Sequence, residues 1–308
     1  MLLGPAKFLP SGADELEMSS NSVFFNGQFV DPAEALVPVV DRGFLFGDGV
    51  YEVIPFYQGV PVGMAKHLDR LEYSLAEIAL PNPYERSQWL SYIWQLVTRN
   101  GGGDLSVYIQ VTRGAVAKRD HAFPPAETPA TVVMLASPLH SLPAAVRQHG
   151  AAAITVPDLR WARCDIKSIN LLPNIMARQQ AVAAGAMEAI FLRDGQAIEG
   201  AASNLFVVRD GVILTPPKST RILAGITRDL LLMLARECGE VVEETAIFET
   251  DLREADEIWL TSSTREIMPV TRLDEQPVCK GHIGPVWRRL DRAYQEYKQT
   301  LISTGGES

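Results

Sequence analysis

Ser22–Val30, SVFFNGQFV, decides the fold class. Apolar stretches flank Asn26-Gly27, and both residues tolerate positive φ, so the chain reverses there as a tight hairpin. A second hairpin follows in VYEVIPFYQGVPVGM (Val50–Met64), turning at Gln58-Gly59. Next, Leu68, Leu71, Leu75 and Ile78 of HLDRLEYSLAEIAL recur at helical spacing, and YERSQWLSYIWQLVTRN repeats that period until Gly101-Gly102-Gly103 ends it. Strands in LSVYIQVTRG and TVVMLASP complete the unit. Hairpins, then helices, then more strands predict an α+β fold and not a doubly wound sheet.

The periodic pattern is interrupted at SPLHSLPAAVRQHG (residues 137–150), which reads as a connection between two units. The expected division is a loosely held tail over residues 1–20, an N-terminal α+β domain over 21–138, a linker over 139–150 and a C-terminal domain over 151–308. In the last of these the sequence predicts a strand in AAAITVPDL, a helix in LPNIMARQQAVAAGA, and strands in EAIFLRDG and SNLFVVRDGVILTP. A helix in TRDLLLMLAREC, strands near VVEETAIF and EIWLTSS, and a final helix from Gly284 to Lys298 follow.

With 28 Lys+Arg against 37 Asp+Glu the net charge is −9, which lacks the basic footprint of a nucleic-acid binder. Three widely separated cysteines, Cys164, Cys238 and Cys279, fit neither paired zinc spacing nor an even-numbered disulfide framework, and point to a reducing cytoplasm. The first twenty residues carry no basic leader, and no run approaches ~20 apolar residues, so neither export nor membrane spanning is expected. His67, His121, His140, His149 and His282 show no H-x-x-x-H pairing, and no metal is expected.

RCDIKSINLLPN, Arg163 to Asn174, sets Lys167 between a short polar turn and a Leu-Leu pair. By residue type alone such a lysine belongs on a solvated face. LAGITRDLLLMLA offers a phosphate site: Gly225 permits close approach, Ile226 and Thr227 put two amides and a hydroxyl at a helix opening, and Arg70 can clamp from elsewhere. The same stretch also reads as an ordinary helix start with a Thr cap and Asp229 in the first turn. TSST, Thr261 to Thr264, is a second hydroxyl cluster that would close the same pocket or cap a helix. RGFLFGDG lacks the dinucleotide fingerprint, and neither a nucleotide-triphosphate loop nor a nucleophile elbow is present. What remains is organic-cofactor chemistry with a phosphate anchor and a lysine.

DRGFLFGDGVYEV, HLDRL, VTRG, RDHAFP, RCDIKSINLL, EGAASNLF, ILAGITRD and TSSTREIMPV occur in this order over roughly residues 22 to 298. Together they resemble the fold-type IV pyridoxal-phosphate enzymes, and most closely the bacterial D-amino-acid aminotransferases. The resemblance implies a two-domain fold with a smaller N-terminal α/β domain and a larger C-terminal pseudo-barrel domain. It also implies pyridoxal 5′-phosphate as cofactor and a homodimer acting on amino acids and 2-oxo acids. Lys167 is implied to form an internal Schiff base with the cofactor aldehyde and, once displaced, to carry the proton to and from the substrate Cα. Glu199 is implied as partner of the pyridine nitrogen, and Arg70, Ile226, Thr227, Ser262 and Ser263 as the phosphate grip. His67, three residues before Arg70, is left between a supporting role and the surface.

Arg119 and His121, with Tyr51, match the set that holds the substrate carboxylate, in some members from the neighbouring subunit. The reaction implied is D-alanine with 2-oxoglutarate giving pyruvate and D-glutamate. A branched-chain L-amino-acid aminotransferase or an aminodeoxychorismate lyase-type enzyme would keep Lys167, Glu199 and the phosphate grip, and a catalytically silent cofactor binder is the alternative outside enzymes. Two departures from the family pattern stand out. TRGAVAKRDH places four residues between Gly114 and Arg119 where three are expected, and Ala201 and Ala202 stand where some members carry serines.

Overall fold

The computed structural model describes residues 22–306, so the expected tail over 1–20 lies outside the described residues. The opening hairpin joins β1 (Val23–Phe25) to β2 (Gln28–Val30) through Asn26 (φ 48°) and Gly27 (φ 92°). α1 (Arg42–Phe46) leads into β3 (Gly49–Tyr57), which turns through Gln58 and Gly59 into β4 (Val60–Pro61). α2 (Met64–Glu77) and α3 (Arg86–Arg99) precede β5 (Leu105–Thr112) and β6 (Thr131–Pro138). The six strands form an antiparallel sheet in the order β2-β1-β6-β5-β3-β4.

Strand alternation sorts β3 into two faces. Val50, Ile54 and Phe56 bury against Leu68, Leu71 and Leu75 of α2 and Trp89, Ile93 and Leu96 of α3. Tyr51 and Val53 fall on the other face, where they line a cavity. Glu52 shares the helix face and is fully buried, which explains why α2 carries a second stripe beside its leucines: His67, Arg70 and Ser74, all buried.

α4 (Ala144–His149) lies within the expected linker, where Leu139 and Leu142 are buried. After it come β7 (Ala151–Pro157), α5 (Leu172–Ala183), β8 (Glu188–Arg193), β9 (Gln196–Gly200), β10 (Asn204–Arg209), β11 (Val212–Thr215), α6 (Ile226–Glu237) and β12 (Val241–Glu244). β13 (Ile247–Phe248), α7 (Glu249–Arg253), β14 (Glu257–Ser262), β15 (Glu266–Leu273), β16 (Gln276–Pro277) and α8 (Pro285–Thr304) complete the chain. Their sheet is ordered β12-β11-β10-β14-β15-β7-β8-β9-β13, with β16 on β15.

That order forces curvature. β10 and β9 are five ladder steps apart, roughly 24 Å if the sheet were flat. They are nevertheless consecutive, and the link from Gly200 to Asn204 spans at most about 14 Å. The sheet therefore curls into a half-barrel, and α6 and α8 pack on it through Leu230, Leu231, Trp287 and Leu290 against Phe206 and Trp259. Among the described residues no helix is long and apolar enough to cross a membrane.

Several elements differ from their sequence reading for identifiable reasons. SNLFVVRDGVILTP is two strands, because Asp210 (φ 50°) and Gly211 (φ 77°) reverse it. EAIFLRDG likewise reverses at Asp194–Gly195, which adds β9. β15 escapes notice in the sequence because Pro269 argues against an interior strand. The proline is tolerated because β7 pairs with β15 only from Val270 onward. α8 continues past Lys298 to Thr304, where Gly305 (φ 77°) terminates it.

Candidate active site

A cavity of about 590 Å³ is walled by both halves of the chain. Tyr51, Val53 and Arg70 come from the first sheet and its helix, and Lys167, Glu199, Asn204, Thr227 and Thr261–Thr264 from the second half.

Lys167 sits in an irregular turn, ten residues after the predicted strand AAAITVPDL ends as β7 at Pro157. Its backbone is stitched to β3. Ser168 bridges Val50, the Tyr51 amide donates to the Lys167 carbonyl at 2.9 Å, and the Ile169 amide donates to the Gly49 carbonyl at 3.1 Å. The Lys167 amide donates to Ser74 Oγ of α2 at 3.2 Å. Antiparallel pairing puts opposed side chains on one face, so Lys167 Nζ lies 4.2 Å from the centre of the Tyr51 ring.

Glu199 is buried at the end of β9. Its carboxylate accepts from Asn204 Nδ2 and the Leu223 amide, each at 3.1 Å, and from Arg160 Nη1. Arg160 is already committed to Asp158, reaching both its oxygens at 2.9 Å. Burial therefore prevails over this shared cation and pushes the Glu199 carboxyl up to about 7. A cationic ring nitrogen set against it would draw it to the ionised form.

The sign of the linkage follows. Between its ordinary value near 4.5 and about 7, folded Glu199 keeps a proton that the unfolded chain has released. This group thus favours the folded state below the lower value, and that contribution is lost as the pH rises through the upper one, by about 3 kcal/mol in all. Glu199→Gln is expected to remove that part of the dependence, read by chemical denaturation of cofactor-free wild type and variant at pH 5 and pH 8. Parallel stability curves for the two proteins would refute it.

Three residues after Leu223, α6 begins at Ile226 with Gly225 as its N-cap and no side-chain cap. A Cβ on Gly225 would approach Asn204 Oδ1 to 1.9 Å, so glycine there keeps open both the helix start and the amide that holds Glu199. The Thr cap anticipated as the ordinary reading is not what starts this helix; Thr227 lies inside it. Arg70 Nη1 donates to the Ala224 carbonyl at 2.9 Å, tying the guanidinium to the same helix start, while Nε and Nη2 take both oxygens of Glu52 at 2.9 and 2.6 Å. Burial raises the Glu52 carboxyl, but Arg70 and His67 outweigh it and hold the group well below the usual carboxylate range. His67 is buried with Nδ1 3.1 Å from Glu52, which places it in support of Arg70 and not on the surface.

TSST turns from β14 to β15 and caps no helix; all four residues line the cavity. Thr261 Oγ1 is buried without a hydrogen-bond partner. Uncapped amides, an arginine, hydroxyls and an orphaned hydroxyl oxygen in the lining of one cavity suit a phosphate, and a lysine and a buried carboxylate in the same lining suit an aldehyde-bearing pyridine.

The model for amino-transferase class IV matches residues 49–273. The chain belongs to the class IV aminotransferases. It is 42% identical over 273 residues to a D-alanine aminotransferase of Bacillus licheniformis, covering 89% of this chain and 95% of that protein. One of Listeria monocytogenes is 41% identical over 276 residues, covering 89% and 95%. Among solved structures, the branched-chain amino acid aminotransferase of Escherichia coli superposes with a TM-score of 0.81 at 28% identity, covering 90% and 93%. The branched-chain amino acid aminotransferase of T.th. with pyridoxamine 5′-phosphate gives 0.82 at 31%, covering 90% and 93%.

In this aminotransferase, Tyr51, Arg70, Lys167, Glu199, Ile226, Thr227, Ser262 and Ser263 line one cavity. Arg119 and His121 do not join them. Both are exposed on the loop after β5 and flank Phe46, the guanidinium carbon 4.7 Å and the imidazole centre 5.3 Å from its ring centre. Arg42, unmarked in the sequence reading, fixes that loop by donating to the carbonyls of Asp120 (2.7 Å), His121 (3.3 Å) and Ala122 (3.2 Å). Asp48 pairs with both Arg42 and Arg113, and those two cations hold its carboxyl below the usual range against the effect of burial. The extra loop residue thus falls ahead of a clamped segment. Arg160 is the other missed residue; the alternating charges of DLRWARCD were its only signal.

Proposed function

We propose that this chain is a pyridoxal 5′-phosphate-dependent aminotransferase of D-amino acids, with D-alanine as the type substrate and 2-oxoglutarate as acceptor. The observation that carries the reading is 42% identity across 95% of a D-alanine aminotransferase, against 28–32% to the branched-chain enzymes of the same fold. When bound, the cofactor supplies an aldehyde that captures the substrate amine and a ring that accepts the electron pair left at Cα.

The chain's own residues do the rest. The Lys167 amine takes and returns the Cα proton. Glu199 holds the ring nitrogen cationic, and the start of α6 with Arg70, Ser262 and Ser263 anchors the phosphate. Tyr51, Arg119 and His121 hold the substrate carboxylate, Arg119 by a two-pronged contact.

Because Arg119 and His121 do not line the cavity of their own chain, the reading includes a homodimer in which they serve the neighbouring site. Exposed Leu36, Val39, Phe44 and Phe123 on the surrounding segments support such an interface. The division at residues 139–150 and a cytoplasmic setting complete the proposal. The deciding experiment mixes purified enzyme with D-alanine alone: the cofactor absorbance is expected to shift and one equivalent of pyruvate to appear. A shift with L-valine or L-leucine and none with D-alanine would transfer the assignment to the branched-chain reading.

A further inference from the structure

Glu266 has no part in the chemistry assigned above, yet it is fully buried and carries a φ of 55°. Residues with a Cβ rarely adopt that conformation, and it persists only where the surroundings over-determine it. Here they do. Glu266 closes the turn after β14, pairing with Ser262 across Ser263, Thr264 and Arg265. Its Oε1 accepts from Lys298 Nζ at 2.6 Å, and its Oε2 from Arg147 Nη2 at 2.7 Å and Gln295 Nε2 at 2.8 Å. Arg147 is shared with Asp291 of α8. The Lys298 ammonium lies 4.3 Å from the centre of the Tyr57 ring at the end of β3. One buried anion therefore gathers α4, α8 and the first sheet.

The other side of the same turn lines the cavity through Ser262, Ser263 and Thr264. We propose that Glu266, held by Lys298 and Arg147, is a positioning residue that sets this turn for the phosphate, so that the C-terminal helix governs cofactor affinity without entering the cavity. The inference rests on the pyridoxal 5′-phosphate reading. A buried carboxylate stripped of its cations is left uncompensated, and the turn is the nearest element that can yield. Lys298 and Arg147 act on the turn's geometry through Glu266, not on the ligand.

Protein freed of cofactor is titrated with pyridoxal 5′-phosphate and, separately, with pyridoxal, which lacks the phosphate. Lys298→Met is expected to weaken pyridoxal 5′-phosphate about tenfold, as loss of an orienting outer partner does elsewhere, and to leave pyridoxal unchanged. Glu266→Gln should do the same, and Lys298→Arg should restore wild-type affinity. If Glu266→Gln does not fold, the Lys298 pair carries the test alone. An equal loss for both ligands, or no loss for either, overturns the positioning role, because general destabilisation does not distinguish the two. Wild-type protein that binds neither ligand defeats the cofactor reading instead.

Discussion

Lys167→Ala protein is expected to purify without the visible absorbance of a lysine-linked cofactor and to transaminate D-alanine at least about 10³-fold more slowly. Among the described residues that line the cavity, Lys167 carries the one amine, so no neighbour can inherit the proton transfer. The fold should survive the change. The contacts that place Lys167 are those of its backbone, to Tyr51 and Ser74, and a half-buried lysine truncated to alanine costs little. The matching measurement is the single-turnover rate with D-alanine beside a thermal melt. A variant that keeps its melting temperature and a tenth of the wild-type rate would remove Lys167 from the reaction. Partial rescue by a small added amine is the expected confirmation, since the cavity left by the side chain admits one.

Arg119→Leu is expected to lower kcat/KM for D-alanine about 10²-fold, the worth of a two-pronged contact between guanidinium and carboxylate. The loop itself should hold its course, because Arg42 grips the carbonyls of residues 120–122 and not the Arg119 side chain. The pyridoxal 5′-phosphate affinity should stay at the wild-type value, for Arg119 lies outside the cavity that holds the phosphate grip. A loss smaller than roughly threefold would leave the carboxylate to another group. Activity toward L-leucine, if any is present, should change much less, and this difference separates the D-specific reading from its branched-chain rival.

The first sheet was legible because its signals are local: Asn26-Gly27, the leucines of α2 and the alternation of β5 each act within one element. The second was read less completely, since turns such as Asp194–Gly195 and Asp210–Gly211 sit inside stretches that look continuous. Pro269 hid β15 for a different reason. Its fitness there depends on where β7 begins, a fact of pairing and not of sequence neighbourhood. The same distinction divides the site. Lys167, Glu199 and the α6 start stand in short runs of distinctive sequence. Arg160, Arg42 and Glu266 act through partners 39 (Arg160 to Glu199), 78 (Arg42 to Asp120) and 32 (Glu266 to Lys298) positions away, and their sequence neighbours do not point to those partners. Arg119 and His121 were identified by motif, but the structure sets them on an exposed loop outside the cavity lining.

The stitching of Lys167 to β3 bears on how this enzyme moves. The segment with Lys167 belongs to the second half, yet its amide and carbonyl bond to α2 and β3 of the first, and Arg70 bridges to Ala224 in the same sense. Opening the halves like a clamshell would break all of these at once and carry the amine away from Tyr51. A passage for substrate and product that leaves these bonds intact runs past the exposed Trp161, whose loop lines the cavity.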